Sequence, residues 1–410
     1  MLYTLVEMNR AALAPMRLLA KGTMQALENP LNPFTNTTMG RSAHAASSVF
    51  ERATRYYGKP EWQIPTTEIG GRTCDVTPVT SWSTPWCSLI HFETEGAPKN
   101  RPRLLICAPL SGHFATLLRG TVEAFLPTHE VYITDWTDAK MAPVWFGRFD
   151  LDDYIDHVRS ALQHIGGGAH VVAVCQPGPA VLAAISMMAE DGDPALPATM
   201  TYMGSPIDAR KSPTVPNLLA EERSFEWFRE KMIYTVPAPW PGMLRRVYPG
   251  FVQLTSFMHM NWERHVDAQA RFFEHLVEGD EDSADKHRTF YNEYLAVLDL
   301  TEEFYLQTIR RVFREHRLAR GIFRYRGERL INPSAIKTVG LMTVEGEKDD
   351  ISGIGQTQAA HELCSSLPEK MQIDYIQPGV GHYGVFNGRR FKDGIVPRIN
   401  AFQDSIAGMA

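Results

Sequence analysis

The amino-acid sequence predicts an α/β protein with a mainly parallel β-sheet, and three observations indicate this. Short β-rich segments alternate with amphipathic segments between residues 86 and 209. The alternation then stops, and strand-like segments resume near residue 337. Because strands that are joined through helices pair in parallel by right-handed crossovers, we expect a sheet with helices on its faces.

The individual elements follow from local patterns. Apolar residues at helical spacing run from residue 1 to about residue 60, interrupted by the turn-rich segment ENPLNPFTNTT. The predicted strands are WCSLIHFET, RLLICAP, EVYITDW, AHVVAVC, TMTYMG, KTVGLMTVEGE and MQIDYIQPG. The predicted helices between them are residues 115–126, 150–165, 180–190 and 357–366.

These patterns divide the chain into three parts. Residues 1–85 are predicted to form an N-terminal helical extension, and residues 86–209 and 331–410 the α/β core. Residues 210–330, called the insertion below, are rich in Met, Phe, Trp and Tyr and are expected to form a cap of helices and irregular segments. At 410 residues the chain exceeds the usual size of a single-core domain, which agrees with an inserted cap.

Charge and cysteine content argue against several classes of protein. The formal net charge is −6, whereas nucleic-acid binding requires concentrated Lys and Arg. The five cysteines are scattered without a CxxC pair, so we expect no disulfide framework, no zinc site and a reducing cytosol. No apolar run reaches about 18 residues, and the first segment lacks the features of a signal peptide, so we expect no transmembrane helix.

The segment VVAVCQPGPAVLAA contains the candidate nucleophile. A β-branched run ends at Cys175 and passes through a tight turn into an alanine-rich helix. A nucleophile at a strand–turn–helix junction is typical of the elbow of the α/β-hydrolase fold, where small residues flank it two positions away on either side. Ala173 and Pro177 occupy those positions here. The alternative is that Cys175 is a buried apolar residue, like most free cysteines.

A catalytic thiol requires a histidine and a carboxylate, because only a few per cent of an ordinary thiol is ionised at neutral pH. The segment LMTVEGEKDDISG is a strand followed by a polar loop, and it makes Asp349 the candidate acid, with Asp350 beside it. His382 lies in the Gly-rich loop that follows the next strand. The chain order of nucleophile, acid and histidine is the order that this fold requires.

Backbone N–H groups are expected to stabilise the oxyanion. One donor is the N–H of Gln176, next to the nucleophile, and the second belongs to the loop after RLLICAP, with Ser111 or Leu110 as the candidate. His113 lies in the same loop, and it either contacts substrate or has a capping role.

With these residues identified, the sequence resembles the intracellular poly(3-hydroxybutyrate) depolymerase family, α/β hydrolases with a Cys nucleophile. The similarity extends over essentially the whole chain and includes YGKPEW, PLSGHFATLLRGTVEAFLP, VYITDWTDA, AVCQPGPA, TYMGSPID, VEGEKDDISGIGQT and GVGHYGVFNG. By position, the family triad falls on Cys175, Asp349 and His382. The resemblance implies cytosolic polyhydroxyalkanoate storage granules as the substrate, 3-hydroxybutyrate oligomers or monomer as the product, and a thioester acyl-enzyme.

The resemblance also implies a neutral polyester substrate, which needs apolar walls and no counter-ion. Candidate substrate contacts in the insertion are Trp240, Phe257 and Trp262, although most aromatic residues there are expected to be core. No cofactor is required, and either water or coenzyme A is the acyl acceptor. The N-terminal helices either dock on the granule or pack against the core or a second subunit of a homodimer, and we expect packing.

Two alternative functions remain open at this point. A polyhydroxyalkanoate synthase uses the same type of triad on this fold and runs thioester chemistry in the direction of polymer synthesis. A non-catalytic granule-associated protein on a hydrolase scaffold is the other alternative. A metalloenzyme is disfavoured, because the sequence has no HExxH segment and no paired Cys/His spacing.

Overall fold

The computed structural model describes residues 2–260 and 262–409, and its centre is a nine-stranded sheet with the strand order β1-β2-β3-β5-β4-β6-β7-β13-β14. Shorter strands form a three-stranded sheet, β10-β9-β8, and a β11–β12 hairpin. The strands are β1 (Thr66–Ile69), β2 (Arg72–Ser83), β3 (Cys87–Thr94), β4 (Arg103–Cys107), β5 (Glu130–Trp136), β6 (His170–Val174), β7 (Thr199–Met203), β8 (Tyr234–Thr235), β9 (Arg246–Tyr248), β10 (Leu300–Thr301), β11 (Arg324–Tyr325), β12 (Arg329–Leu330), β13 (Gly340–Gly346) and β14 (Gln372–Gln377).

The pairing directions identify the α/β-hydrolase fold. From β5 to β14 all neighbouring strands of the large sheet are parallel, whereas β1, β2, β3 and β5 pair antiparallel. The chain places β5 outside β4 and then crosses back to β6, which is the characteristic crossover of this fold. Every residue of β6, β7 and β13 is buried, as expected for parallel strands covered on both faces.

Helices cover both faces of this sheet and form the N-terminal region and the insertion. Their bounds are α1 (Leu2–Ala12), α2 (Ala14–Glu28), α3 (Thr38–Thr54), α4 (Arg119–Phe125), α5 (Leu151–Ile165), α6 (Gly178–Asp191), α7 (Val215–Glu222), α8 (Phe225–Lys231), α9 (Gly250–Met260), α10 (Trp262–Glu278), α11 (Glu281–Tyr294), α12 (Glu302–Thr308), α13 (Ala359–Leu363), α14 (Gly388–Arg390) and α15 (Val396–Ala407). None of the helices in the described residues is long and apolar enough to cross a membrane.

Two apolar clusters, one on each face, hold the sheet between its helices. Helices α5 and α6 contribute to the first cluster, and α4 and α15 contribute to the second. Helix α5 shows how sequence determines such an element: Asp150 caps its N-terminus in a capping box with Asp153, and one side of the helix is apolar and buried. Burial of that face holds α5 on the sheet, and the carboxyl ends of the parallel strands are thereby held in place.

The sheet begins earlier in the chain than the predicted boundary at residue 86. Strands β1 and β2 form a hairpin through Gly70 and Gly71, both with positive φ, and β2 pairs with β3. Residues 66–83 therefore belong to the sheet and not to an N-terminal helical extension. The Gly-Gly pair between two β-rich segments is a hairpin signal in the sequence.

The N-terminal helices contact the insertion. Helix α3 packs against α10, and a small apolar cluster joins α3, α10 and α11. In α1, the buried Tyr3 hydroxyl donates a hydrogen bond of 2.6 Å to Oδ2 of Asp299. Oδ1 of Asp299 accepts a hydrogen bond of 2.9 Å from the Gly250 N–H at the start of α9. Helix α2, by contrast, has no buried residue.

The same part of the insertion is fastened to the core. The Asp299 N–H donates a hydrogen bond of 3.0 Å to Oδ1 of Asp138, in the loop after β5. The Leu298 N–H donates a bond of 2.8 Å to the carbonyl of Gly112, in the loop after β4. Burial raises the pKa of Asp299 to about 6, and the neighbouring Asp138 adds to this increase. Residues 298 and 299 thus link the N-terminus, the insertion and the core.

Candidate active site

Cys175 lies one residue beyond β6, at the turn into α6. Its φ is +67°, which is unusual for a residue other than glycine. The Cys175 N–H donates a hydrogen bond of 2.8 Å to the carbonyl of Met203, and the Cys175 carbonyl accepts one of 3.2 Å from the N–H of Gly178. Left-handed backbone costs roughly 1–3 kcal/mol at such a residue, so the surrounding structure must impose it. The turn carries the thiol out of the strand at the carboxyl edge of the sheet.

Small residues allow this turn to pack closely. Ala173 and Pro177 flank the thiol, as the sequence predicts, and Pro177 precedes α6, where its missing N–H has no intrahelical partner. The structure adds Gly178: a Cβ atom at this position would lie 2.5 Å from Cβ of Ser205. Gly178 therefore lets α6 begin against the segment that follows β7.

His382 and Asp349 form a buried pair at the ends of two neighbouring strands. Asp349 follows β13, His382 follows β14, and the His382 Nδ1 lies 2.8 Å from the Asp349 Oδ2. The other carboxylate oxygen of Asp349 accepts hydrogen bonds of 2.9 and 2.8 Å from the N–H groups of Ile351 and Ser352. Both oxygens are therefore occupied, which fixes the carboxylate and, through it, the orientation of the imidazole.

The surroundings of His382 favour its protonated form. Burial lowers the pKa of His382, but Cys175 and Asp349, through their charges and through hydrogen bonds to the ring, raise that pKa well above its usual value. These interactions place the Cys175 thiol beside the imidazole. The structure thus brings together Cys175, His382 and Asp349, the three residues that the sequence analysis selected.

Gly204 lies against this pair and was not singled out in the sequence. Its φ is +55°, and a Cβ atom there would lie 3.1 Å from Cε1 of His382 and 3.3 Å from Oδ2 of Asp349. A side chain at this position would therefore press on the hydrogen-bonded pair. The sequence signal is TYMGSP, in which a glycine directly follows a buried strand.

The candidate oxyanion donors lie in two loops that a side chain connects. The side-chain oxygen of Gln176 accepts a hydrogen bond of 3.2 Å from the Leu110 N–H. The N–H groups of Gln176 and Ser111 donate no hydrogen bond to another residue in the described part of the chain. Of the two alternatives in the loop after β4, Leu110 is thus engaged, and Ser111 keeps a donor available.

The remaining sequence candidates lie elsewhere. His113 is buried: its Nε2 lies 3.1 Å from the Tyr294 carbonyl, and burial lowers its pKa to about 4. Trp240 packs beside Tyr56 and Lys140, and Trp262 is largely exposed on α10. Within residues 2–260 and 262–409, no hydrogen bond or ring contact joins either tryptophan to the triad. Phe257 belongs to α9, but its side chain lies outside the described part of the structure.

Aromatic residues that the sequence analysis did not select surround the imidazole. The rings of Phe386 and Tyr383 lie 5.6 and 6.1 Å from the ring of His382. Tyr294 of the insertion contacts Tyr383 at 6.2 Å and His113 at 5.4 Å. The site is therefore lined by apolar rings from both the core and the insertion. The segment GHYGVF carries a local sequence signal for Tyr383 and Phe386, which lie one and four positions after the histidine.

Comparison with known proteins gives one family match. The family model described as "PHB de-polymerase C-terminus" matches residues 204–407. These residues include the insertion and the strands that precede Asp349 and His382. No curated protein sequence matches the chain.

Solved structures resemble the chain only distantly. A putative lipase from Acinetobacter baumannii AYE is 11% identical, with 82% of this chain and 93% of that chain covered and a TM-score of 0.44. The hydrolase BPHD from Rhodococcus sp. strain RHA1 is 12% identical, with 80% and 98% covered and a TM-score of 0.41. A monoacylglycerol lipase from Paleococcus ferrophilus is 13% identical, with 74% and 96% covered and a TM-score of 0.42.

At these TM-scores the fold assignment depends on the strand order and pairing of the sheet, not on these neighbours. The family match assigns the chain to the enzymes that hydrolyse esters. Cys175 at the elbow, Asp349 and His382 lie where an α/β hydrolase carries its catalytic groups. Residues 204–407 therefore belong to the poly(3-hydroxybutyrate) depolymerase family, and the chain is a carboxylic ester hydrolase.

Proposed function

We propose that the protein cleaves the ester bonds of poly(3-hydroxybutyrate) through a Cys175–His382–Asp349 triad and releases 3-hydroxybutyrate oligomers or monomer. The observation that supports this most directly is the thiol at the strand–helix turn, beside an imidazole whose Nδ1 lies 2.8 Å from a buried carboxylate oxygen. The family match supports the polyester as substrate.

The first half of the reaction transfers the acyl group to sulfur. The His382 imidazole accepts the thiol proton of Cys175, and the thiolate attacks the ester carbonyl. Asp349 holds Nδ1–H of His382, so that the Nε2 face is presented to sulfur and the imidazolium is stabilised. When the tetrahedral intermediate collapses, the C–O bond breaks, the departing alkoxide takes the proton from His382, and a thioester remains on Cys175.

The second half regenerates the thiol. His382 accepts a proton from water, the resulting hydroxide attacks the thioester, and the C–S bond breaks as His382 returns the proton to sulfur. Coenzyme A is the alternative acceptor: its thiol would attack in place of water and leave with the acyl group as a new thioester. The reaction needs no metal and no redox cofactor in either case, because only protons and an acyl group move.

Two backbone donors are proposed to stabilise the oxyanion in both halves. They are the N–H groups of Gln176 and Ser111, which the described residues leave without a partner. The Gln176 side chain holds the loop after β4 against the elbow through the Leu110 N–H, which fixes the distance between the two donors. Each donor of this kind typically contributes about 3 kcal/mol to the stabilisation of the transition state.

The proposed substrate is a neutral polymer, stored as granules with which the protein is proposed to associate. The rings of Tyr383 and Phe386 beside His382, and of Tyr294 beside Tyr383, suit an uncharged polyester strand, and they lower the local polarity in which the oxyanion interactions act. The same proposal includes a homodimer, and the mass of the protein in solution tests it.

Product analysis tests this function. Purified protein is mixed with amorphous poly(3-hydroxybutyrate) particles, with and without coenzyme A, and soluble products are separated by mass. We expect 3-hydroxybutyrate oligomers or monomer from the wild type and none from Cys175→Ala, whereas Cys107→Ala, a matched change of a buried cysteine, keeps the activity.

Two results would contradict the proposal. Release of coenzyme A and formation of insoluble polymer from 3-hydroxybutyryl-CoA, without particle hydrolysis, would identify a synthase. Equal particle degradation by the wild type and Cys175→Ala would favour a non-catalytic granule protein whose preparations carry another hydrolase.

A further inference from the structure

Two uncharged loops present exposed apolar side chains next to each other. The first loop follows β5 and includes Met141–Gly147, and the second precedes β9 and includes Ala238–Leu244; neither segment contains a charged residue. Their exposed apolar side chains form what we call the apolar rim. These residues are Met141, Val144, Trp145, Phe146, Met243 and Leu244.

The rim is held rigidly, which distinguishes it from a mobile loop tip. Buried Arg245 donates hydrogen bonds of 3.0, 2.6 and 2.8 Å to the carbonyls of Ala142, Pro143 and Gly147. The Gly242 N–H donates one of 2.7 Å to the carbonyl of Lys140. Although its backbone is fixed in this way, the Trp145 side chain remains 78% exposed and that of Leu244 remains 69% exposed. Exposed apolar patches of this kind mark interaction sites.

The rim lies at the same edge of the sheet as Cys175. Strands β5, β4 and β6 are consecutive and parallel, so the loop after β5 and the turn after β6 leave the sheet at the same carboxyl edge. At a strand spacing of about 4.8 Å, the ends of β5 and β6 are roughly 10 Å apart. A surface that binds the rim therefore faces the same edge of the sheet as the candidate nucleophile.

Charge around the rim favours an uncharged partner. The nearest exposed cations along the chain, Arg148 and Arg246, form ion pairs with Glu303 and Glu302. No excess of positive charge is thus available to attract anionic lipid headgroups, on which binding to a cell membrane usually depends. A neutral, water-insoluble polymer has the chemistry that this surface fits.

We infer that the apolar rim is a docking surface for the amorphous polyester particle, and that it holds the polymer surface against the edge of the sheet that carries Cys175. This inference rests on the proposed function, because it takes the polymer as the partner. It adds a binding step that is separate from hydrolysis: soluble oligomers would reach the triad without the rim, whereas the particle would require it.

A binding assay separates the two steps. Particles of amorphous poly(3-hydroxybutyrate), prepared without other proteins, are sedimented with Cys175→Ala protein, which cannot consume them under the proposal. We expect the additional changes Trp145→Glu and Leu244→Glu together to weaken particle binding at least tenfold. Ile373→Glu on β14, an exposed apolar residue five strands from β5, is the matched control and should change binding less than twofold.

The corresponding proteins with Cys175 intact are then compared on particles and on a soluble 3-hydroxybutyrate trimer. We expect the double variant to lose at least tenfold in particle hydrolysis and less than threefold in trimer hydrolysis. Thermal unfolding of each variant shows that the exposed substitutions leave the fold intact. If no form hydrolyses either substrate, the proposed function fails, and the sedimentation assay still decides on docking.

Three outcomes would overturn the inference. The first is unchanged particle binding by the double variant. The second is wild-type binding to phosphatidylcholine vesicles as tight as to the polymer, which would indicate general adsorption to lipid. The third is a wild-type dimer that the double variant converts to a monomer without loss of particle binding, which would assign the rim to a second copy of this chain.

Discussion

Cys107 and Cys175 lie at the ends of neighbouring parallel strands, yet their surroundings differ completely. Cys107 is the last residue of β4, is paired in register with Ala173 of β6, and is fully buried, so that desolvation raises the pKa of its thiol. Cys175 lies one residue beyond β6, with φ of +67°, and it is partly exposed and lies beside His382, whose pKa it raises. The comparison teaches that the reactivity of a cysteine here is decided by how its strand ends.

The largest expected difference between the two cysteines is in catalysis. Cys175→Ala should lower ester hydrolysis by at least about 10⁴-fold, because the acyl group loses its acceptor. Cys107→Ala should leave hydrolysis within about twofold and cost about 1 kcal/mol in the free energy of unfolding, because it only removes a buried sulfur atom. Initial rates on a soluble ester and urea unfolding measure the two effects. Similar rate losses in both variants would contradict the assignment of Cys175, and not Cys107, as the nucleophile.

The second prediction concerns Asp349, which binds the imidazole beside Cys175 and, within the described residues, has no counterpart beside Cys107. Asp349→Asn should lower the hydrolysis rate by roughly three to four orders of magnitude, because an amide no longer stabilises the imidazolium or selects its tautomer. Asp350→Asn changes the neighbouring exposed carboxylate and should have less than a twofold effect. The hydrolysis rates of both variants on the same ester test this prediction. Comparable losses would mean that the rate depends on the negative charge of the loop and not on the bond between Asp349 and His382.

The third prediction tests how closely the surroundings constrain the pair beside Cys175. Gly204→Ala and Gly192→Ala both place a Cβ at positive φ, and each should cost about 1 kcal/mol of stability. Only the Cβ at position 204 would contact His382 and Asp349, since nothing lies within 4 Å at position 192. We therefore expect about a tenfold lower kcat for Gly204→Ala alone. Equal kcat values would show that the pair tolerates the contact.

The smallest effect is in the pH dependence of stability. Because the pKa of His382 is raised in the folded protein, protonation of this residue stabilises the fold. Its contribution is fully present below the unfolded pKa of about 6.5 and is lost as the pH rises through the raised pKa. Urea unfolding of the wild type and His382→Gln from pH 6 to pH 9 should show a stability difference that decreases with pH. A stability difference that grows with pH would contradict the expectation that protonated His382 stabilises the fold.

Local pattern in the sequence is sufficient to predict most of the core and the three residues of the proposed triad. The buried strands β4 to β7 read as apolar runs, and the turn at Cys175 was visible because a β-branched run changed abruptly into an alanine-rich helix. The β1–β2 hairpin lies outside the predicted core because its segment lacks an apolar run, although Gly70 and Gly71 indicate a turn.

Contacts between distant segments could not be predicted in the same way. The bond between the Gln176 side chain and the Leu110 N–H, the position of Gly204 against His382, and the contact of Tyr294 with Tyr383 all join residues far apart in the chain. No periodicity encodes such pairs, because they depend on how the loops meet at the edge of the sheet. The prediction of Trp240 as a substrate contact has the same weakness, because aromatic content identifies the insertion but not which of its rings lies near His382.

Strands β7 and β13 are neighbours in the sheet although the whole insertion separates them in the chain. Segments of this kind are natural units for recombination, since a chimera can exchange them between two paired strands without altering the scaffold. Asp299 sets the condition for such an exchange, because it binds Tyr3, Gly250 and Asp138 at once. A transplanted segment that lacks an equivalent carboxylate would leave the Tyr3 hydroxyl and the Gly250 N–H without their acceptor, so that residues around position 299 should be kept from the recipient.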